Sequence, residues 1–402
     1  MTRVVVVGGG QAGLSLVAKL RSLGFNGSIK LFGEEPVAPY QRPPLSKKYL
    51  LGETTFDRLL LRPEKFFSEN DIDVHLDCQV HSIDPDSKTI VTTDGNFGYD
   101  DLVLTTGSAA LHLPASFCGA LSGTFTVRNV ADVDAMAAEF VEGARVLVIG
   151  GGYIGLEAAA VAATRGLCVT LVEKEDRILK RVAAPETSDF FRDLHCQHGV
   201  DVREGVGLVQ LAGERKVTNA KLSDGTDLPV DFVVVGIGIT PRTNLARDAG
   251  LAVDNGIKVD TSGRTSQPHI WAAGDCASFP FGVKWIRLES VPHAIAHAEC
   301  VAANIYGNPT EYKAKPWFWS DQYDVKLQIA GLNTGYDRVV QRHSEGRSVS
   351  HWYYRGNELL AVDAMNAPRE YMVGKRLIES GIHPSIEDVA NLRIEIKTLL
   401  NA

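Results

Sequence analysis

The chain has no two cysteines close enough to work as a local pair. Cys78, Cys118, Cys168, Cys196, Cys276 and Cys300 form neither a CxxC nor a CxxxxC motif. A disulfide framework is not expected from that spacing in a reducing compartment, and buried, inert thiols are the expected role. No apolar run approaches the roughly 18 residues of a membrane span. The opening MTRVVVVGGG has an apolar run of only four residues, too short for a signal-peptide core, so a cytoplasmic protein is expected. Positive charge is also in short supply: 41 Lys and Arg face 49 Asp and Glu, a net charge of −8. A nucleic-acid protein needs a basic surface, so that class is not expected. Low-complexity segments and long linkers are missing as well.

What is present is an ordinary globular composition, 45% hydrophobic and 22% charged. A chain of 402 residues exceeds one core of usual size and predicts two or three domains. One pattern occurs twice. RVVVVGGGQAG at 3–13 and RVLVIGGGYIG at 145–155 are β-branched runs ending in glycines that open a helix. Each is followed by a second strand ending in acid, SIKLFGEE at 28–35 and CVTLVEKE at 168–175. Each then reaches a strand running into glycine, YDDLVLTTG at 99–107 and VDFVVVGIG at 230–238. Continuous apolar character suits strands buried on both faces of a parallel sheet. The repeat predicts two copies of one nucleotide-binding unit.

Gly8, Gly10 and Gly13 fit G-x-G-x-x-G, and Gly150, Gly152 and Gly155 fit it again. The first glycine permits a tight turn, the second close approach to a pyrophosphate, the third helix-on-strand packing. The following helix directs N–H groups and a positive dipole end at the phosphates. Glu34 lies 21 residues after Gly13 and Glu173 lies 18 after Gly155, placed to accept from ribose hydroxyls. Two complete fingerprints imply two dinucleotides, FAD and NAD(P)H. Glu173 would repel an adenosine 2′-phosphate and so favours NADH, although Lys174 and Arg177 stand close by.

The two fingerprints, with LVLTTG, GIGITP and AAGDCA, resemble the two-dinucleotide flavoprotein reductases. That resemblance implies an α/β protein with two Rossmann-like dinucleotide-binding domains, glutathione-reductase-like, plus a C-terminal α+β domain. Disulfide reductases of that group carry a redox cysteine pair near the first FAD segment. The comparable stretch here, PYQRPPLSKKYL at 39–50, contains no cysteine. YQRPPLSK, RPEKFF, TVRN, AAGDCA, ESVPHA and PWFWSDQ, in that order along the whole chain, instead resemble the ferredoxin reductases of bacterial oxygenase systems. These serve cytochromes P450 and ring-hydroxylating dioxygenases. The resemblance implies NADH-dependent reduction of a [2Fe–2S] ferredoxin through FAD. A rubredoxin reductase, an NADH oxidase and a redox-dependent signalling flavoprotein remain as alternatives.

Site roles follow by the same resemblance. Ala12 and Glu34 would contact the FAD phosphate and ribose, and Arg42 and Arg128 phosphate or flavin oxygens. Lys47 would lie at the isoalloxazine near its N5 edge. Val80 would frame the adenine end, Asp275 would accept from a ribityl hydroxyl, and the Val291 N–H would face the flavin O2 edge. Gly152, Ile154 and Glu173 would hold the adenosine half of NADH, Gly238 would pass beside it, and Glu157 would contact the nicotinamide end. Trp319 is expected beside the flavin, with Trp317 on the same strand face and Phe318 in the core.

The strand HIWAAGDCA at 269–277 is expected to return to the first sheet. The expected domains are therefore 1–111 with 248–315 for FAD, 112–247 for NAD, and 316–402 at the C-terminus. Helices are expected over 368–380 and 385–400. His293 and His297 lie one turn apart, but no cysteine or acid beside them completes a metal site. An acidic ferredoxin would need a basic patch on this acidic chain; Lys284, Arg287, Lys313 and Lys315 are the candidates.

Overall fold

A computed structural model describes residues 2–343 and 346–401; Met1 and Ala402, the outermost residues of the expected domains, lie outside it. The chain forms two compact units. One comprises Met1–Gln41, Phe56–Ala109 and Ile239–Pro316, the other Arg42–Thr55, Ala110–Gly238 and Trp317–Ala402.

In the first unit, valines at alternate positions of the strand Arg3–Val7 enter two different cores. Val5 and Val7 pack with Leu102, Leu104 and Phe279, while Val4 and Val6 pack with Val103, Leu16 and Val301. A strand with apolar neighbours on both faces must sit inside a sheet covered on both sides. The sheet has five parallel strands in the order Ile270–Ala272, Asp101–Leu104, Arg3–Val7, Ser28–Phe32, Ile72–His75. The late strand therefore does pair back, Ile270 opposite Leu102. It is shorter than HIWAAGDCA suggests: Gly274, at φ +78°, turns the chain into a 3-10 segment, Gly274–Cys276.

The second unit repeats the arrangement. Its parallel sheet runs Thr124–Phe125, Phe232–Val235, Arg145–Ile149, Cys168–Glu173, Asp201–Glu204. Four strands match those of the first sheet in order, with the glycine-bearing strand in the middle; the edge strands differ, since Thr124–Phe125 precedes the other four in the chain and Ile270–Ala272 follows them. The same unit holds an antiparallel sheet in the order Trp317–Gln322, Val325–Gly331, Glu358–Met365, Val349–Arg355, Arg338–His343, with the helix Pro368–Ser380 packed against it. The helix expected over 385–400 is broken. The helix Ile386–Ala390 stops, and the Asn391 side chain accepts the Arg393 N–H at 3.0 Å, a local bond that competes with helix continuation. A 3-10 turn, Ile396–Asn401, follows. Among the described residues no helix is long and apolar enough to cross a membrane.

Candidate active site

The glycine triplets pass a direct geometric test. A Cβ on Gly8, at φ +124°, would lie 2.2 Å from the Thr105 carbonyl oxygen. One on Gly150, at φ +105°, would lie 2.5 Å from the Gly236 carbonyl oxygen. Third-position Cβ atoms on Gly13 and Gly155 would strike the carbonyl oxygens of Gly8 and Gly150 at 2.1 and 2.0 Å. The middle glycines behave differently: a Cβ on Gly10 or Gly152 meets nothing within 4 Å. The first and third glycines are thus demanded by the fold, while the second faces open space at a helix N-terminus. That is what a pyrophosphate cradle requires. Both turns fit a bound dinucleotide.

The acids take different partners. Glu173 is fixed to the second turn: its Oε2 accepts the Gly151 N–H at 2.7 Å and its Oε1 the Glu175 N–H at 2.8 Å. Glu34 forms an ion pair with Arg242 in the first unit. Ala12 is buried, and its Cβ lies 3.0 Å from where a Gly274 Cβ would sit, so the first helix and the AAGDCA segment meet closely. Asp275 is half-buried, and its carbonyl accepts from Arg287 at 3.2 Å. Val291 is the first residue of a 16-residue helix capped by Ser290, which leaves its N–H without an intrahelical acceptor. Val80 is only 8% exposed and packs in the apolar core. The histidines His293 and His297 join Phe279 and Tyr312 in a buried aromatic pile, with His293 Nδ1 2.6 Å from the Tyr312 hydroxyl. Among the described residues no group of three or more His, Cys, Asp or Glu could hold a metal.

In the second unit, the segment 42–55 brings Arg42 to Arg128 and Lys47 to the glycine helix. Arg42 donates to the Arg128 carbonyl at 2.9 Å, which gathers both guanidinium-bearing residues. Lys47 ends the 3-10 turn Pro43–Ser46 and reaches Glu157 Oε2 at 2.6 Å. Glu157, on the helix Tyr153–Thr164, is 2% exposed. A buried carboxylate needs its acceptor capacity filled. Ser46 donates to Oε2 at 2.5 Å and Ser320 to Oε1 at 2.7 Å. Ile154, beside the open Gly152, is 41% exposed, high for an apolar side chain in a parallel-sheet unit. Gly238, at φ +117°, has the Arg181 guanidinium 3.5 Å from its notional Cβ.

On the strand Trp317–Gln322, the two tryptophan rings share a face at 5.6 Å, as the alternation predicts. The expected division of labour changes, however. Trp317 packs beside the Ala330, Ala364, Ala367 and Tyr371 core, and Phe318, half-buried, lies 4.8 Å from Tyr153. Trp319, half-buried as well, stands beside them.

Ser46 and Ser320 escaped the sequence reading, although both stand inside the quoted YQRPPLSK and PWFWSDQ segments. Thr105 and Arg242 were missed too, although Thr105 stands inside the quoted LVLTTG and Arg242 directly follows the quoted GIGITP. Arg287 is withdrawn from the basic patch: its side chain is 10% exposed and paired with Glu289 at 2.5 Å. Lys284 and Lys313 remain exposed.

Comparison with known proteins agrees with this geometry. Residues 2–298 match the pyridine nucleotide-disulphide oxidoreductase family and residues 317–400 the reductase C-terminal family. A ferredoxin–NAD(P)(+) reductase of Sphingomonas sp. is 45% identical over 96% of this chain and 95% of its own. Putidaredoxin reductase CamA of Pseudomonas putida is 40% identical over 93% and 91%. Among solved structures, the covalent putidaredoxin reductase–putidaredoxin complex matches with a TM-score of 0.96 at 38% identity, covering 100% of this chain and 98% of that one.

Proposed function

The chain belongs to the pyridine nucleotide-disulphide oxidoreductase family, and we propose that within it the protein is an NADH-dependent, FAD-containing ferredoxin reductase. Its acceptor is a [2Fe–2S] ferredoxin that serves a cytochrome P450 or a ring-hydroxylating dioxygenase, and it acts in the cytoplasm. Residues 1–111 with 248–315 hold FAD, 112–247 hold NADH, and 316–402 complete the molecule.

One observation carries this reading. Where a disulfide reductase needs two cysteines, this chain presents Lys47 and a buried Glu157 joined at 2.6 Å. Nothing there can store electrons as a disulfide. When bound, FAD supplies the missing chemistry, since a flavin accepts a hydride and releases electrons singly. The protein's part is to bind and align. The N–H groups of both glycine turns hold phosphates, Glu34 and Glu173 orient ribose hydroxyls, and Asp275 and the Val291 N–H position the flavin. Arg42 and Arg128 counter negative charge. Lys47, steadied by Glu157, fixes the reacting edge, and Trp319 with the flanking residues restricts water. Alignment of this kind lowers a hydride-transfer barrier without a nucleophile.

The test is reduction of purified [2Fe–2S] ferredoxins by NADH under anaerobic conditions, with rubredoxin and oxygen as competing acceptors. Ferredoxin should be reduced fastest. Rising salt should slow that step through Lys284 and Lys313, while ferricyanide reduction stays nearly constant. Faster turnover with rubredoxin or oxygen would replace this reading with the corresponding reductase or oxidase.

A further inference from the structure

Glu157 is the end of a longer hydrogen-bonded chain. Ser320 Oγ lies 2.7 Å from Glu157 Oε1, Gln322 Nε2 lies 3.2 Å from Ser320 Oγ, and His195 Nε2 lies 2.8 Å from Gln322 Oε1. The Tyr323 hydroxyl closes the series 3.3 Å from His195 Nδ1. Glu157, Ser320, Gln322 and His195 are at most 2% exposed.

The direction of every bond follows from the first. A carboxylate can only accept, so the single Ser320 hydrogen points at Glu157. Gln322 must then give an N–H to Ser320, which turns its carbonyl oxygen to His195. His195 must donate from Nε2, which leaves Nδ1 to accept from Tyr323. The imidazole is thus neutral and in one tautomer, and burial, which pushes its pKa down to about 4, keeps it so. The residues come from the helix Pro185–Gln197, the C-terminal strand and the Glu157 helix, yet each has one orientation that satisfies all. Fully satisfied buried networks of this kind fix side chains.

We infer that His195 and Gln322 are positioning residues, which hold Ser320 and through it orient Glu157 and Lys47 for flavin reduction. The inference rests on the reading of Lys47 and Glu157 given above. Neither residue touches a nucleotide turn, and neither belongs to a motif quoted for cofactor contact except that Gln322 ends PWFWSDQ.

Gln322→Glu tests the direction of the chain at nearly constant shape. A carboxylate at 322 has no N–H for Ser320 and competes for its hydrogen. Three readouts apply to the holoenzyme: visible circular dichroism of the flavin, acylation of Lys47 by a water-soluble N-hydroxysuccinimide ester followed by peptide mass spectrometry, and the single-turnover rate of FAD reduction at saturating NADH. The variant should acylate Lys47 about tenfold faster and reduce FAD about tenfold more slowly, with NADH affinity little changed, since a hydrogen bond to a charged group is typically worth this much. His195→Phe should behave alike, and His195→Gln, which can still donate, should recover wild-type values. Should Gln322→Glu not fold, Ser320→Ala removes the last link and is expected to give the same three changes. Folded Gln322→Glu, or in its place Ser320→Ala, with wild-type values in all three readouts overturns the inference, provided Glu157→Gln changes them. If Glu157→Gln is silent as well, the reading of the Lys47–Glu157 pair itself falls.

Discussion

The Glu173 carboxylate accepts the backbone N–H of Gly151 at 2.7 Å, so the acid proposed to read the ribose is tied to the turn proposed to cradle the phosphates. Of the cations around it, Lys174 is exposed, while Lys180 and Arg177 are already engaged. Lys180 is paired with Glu175 at 3.0 Å and Asp176 at 3.1 Å, and Arg177 donates to Ser188 at 2.6 Å. NADH should therefore reduce the flavin with a second-order rate at least about 100-fold above that of NADPH, equivalent to roughly 3 kcal/mol. Glu173→Ala should narrow the gap and loosen the turn. Equal rates with the two nucleotides, measured by stopped flow, would remove the specificity assigned to Glu173.

Acid should destabilise the fold. Burial pushes His195, His293 and His351 down to about 4 from the ordinary 6.5. A histidine lowered in the folded state contributes stability that is present above its unfolded pKa and lost as pH falls towards its folded one. The loss runs from about pH 6.5 to 4 and amounts to a few kcal/mol per residue. Asp363 works the other way, because burial raises it to about 6 and its favourable contribution is lost as pH rises from about 4 to 6. Three histidines outweigh one aspartate. The melting temperature at pH 5 should lie several degrees below that at pH 7. A rise on acidification would mean that Asp363 dominates.

Thiols should be dispensable. Cys78, Cys276 and Cys300 are buried in the apolar core of the first unit, and burial pushes Cys276 up and Cys300 up to about 11. Iodoacetamide should reach the exposed Cys168 and Cys196 first and leave NADH-to-ferricyanide activity largely intact. Inactivation that tracks one modified cysteine, with the fold retained, would restore a thiol-based mechanism.

Trp319→Ala should separate packing from function. Its partner Trp317 already supplies the contact with the Tyr371 core, so loss of the half-buried Trp319 should cost less than the roughly 3–5 kcal/mol of a fully buried tryptophan. The flavin absorption should shift, and delivery of electrons to ferredoxin should slow severalfold. Wild-type spectra and rates would make Trp319 a packing residue.

The parallel sheets and both turns were legible because each depends on local signals. Valine runs, glycines at fixed spacing and a following acid all fall within about 30 residues. The surroundings of Glu157 were not legible, since Ser46 and Ser320 stand 111 and 163 residues away. No periodicity joins residues at that separation; only the fold does. Resemblance named Lys47 and Glu157 singly, and geometry joined them. The 385–400 helix failed because Asn391 offered a competing side-chain bond that composition conceals. Arg287 looked like surface charge until Glu289 and the Asp275 carbonyl claimed it.

The two glycine turns differ in what stands behind them. Behind the first, the Thr105 hydroxyl bonds to the Val7 carbonyl at 3.2 Å and the Gly8 carbonyl at 3.0 Å. Behind the second stands Gly236, which has no side chain to bond with. The two turns are braced from different sides: the first by the Thr105 hydroxyl behind it, the second by the Glu173 carboxylate on the Gly151 N–H. Threonine against glycine at one matched position thus shifts the brace from a neighbouring strand to an acid that faces the turn itself, so a ligand competing for that acid would loosen the second turn and leave the first as it is.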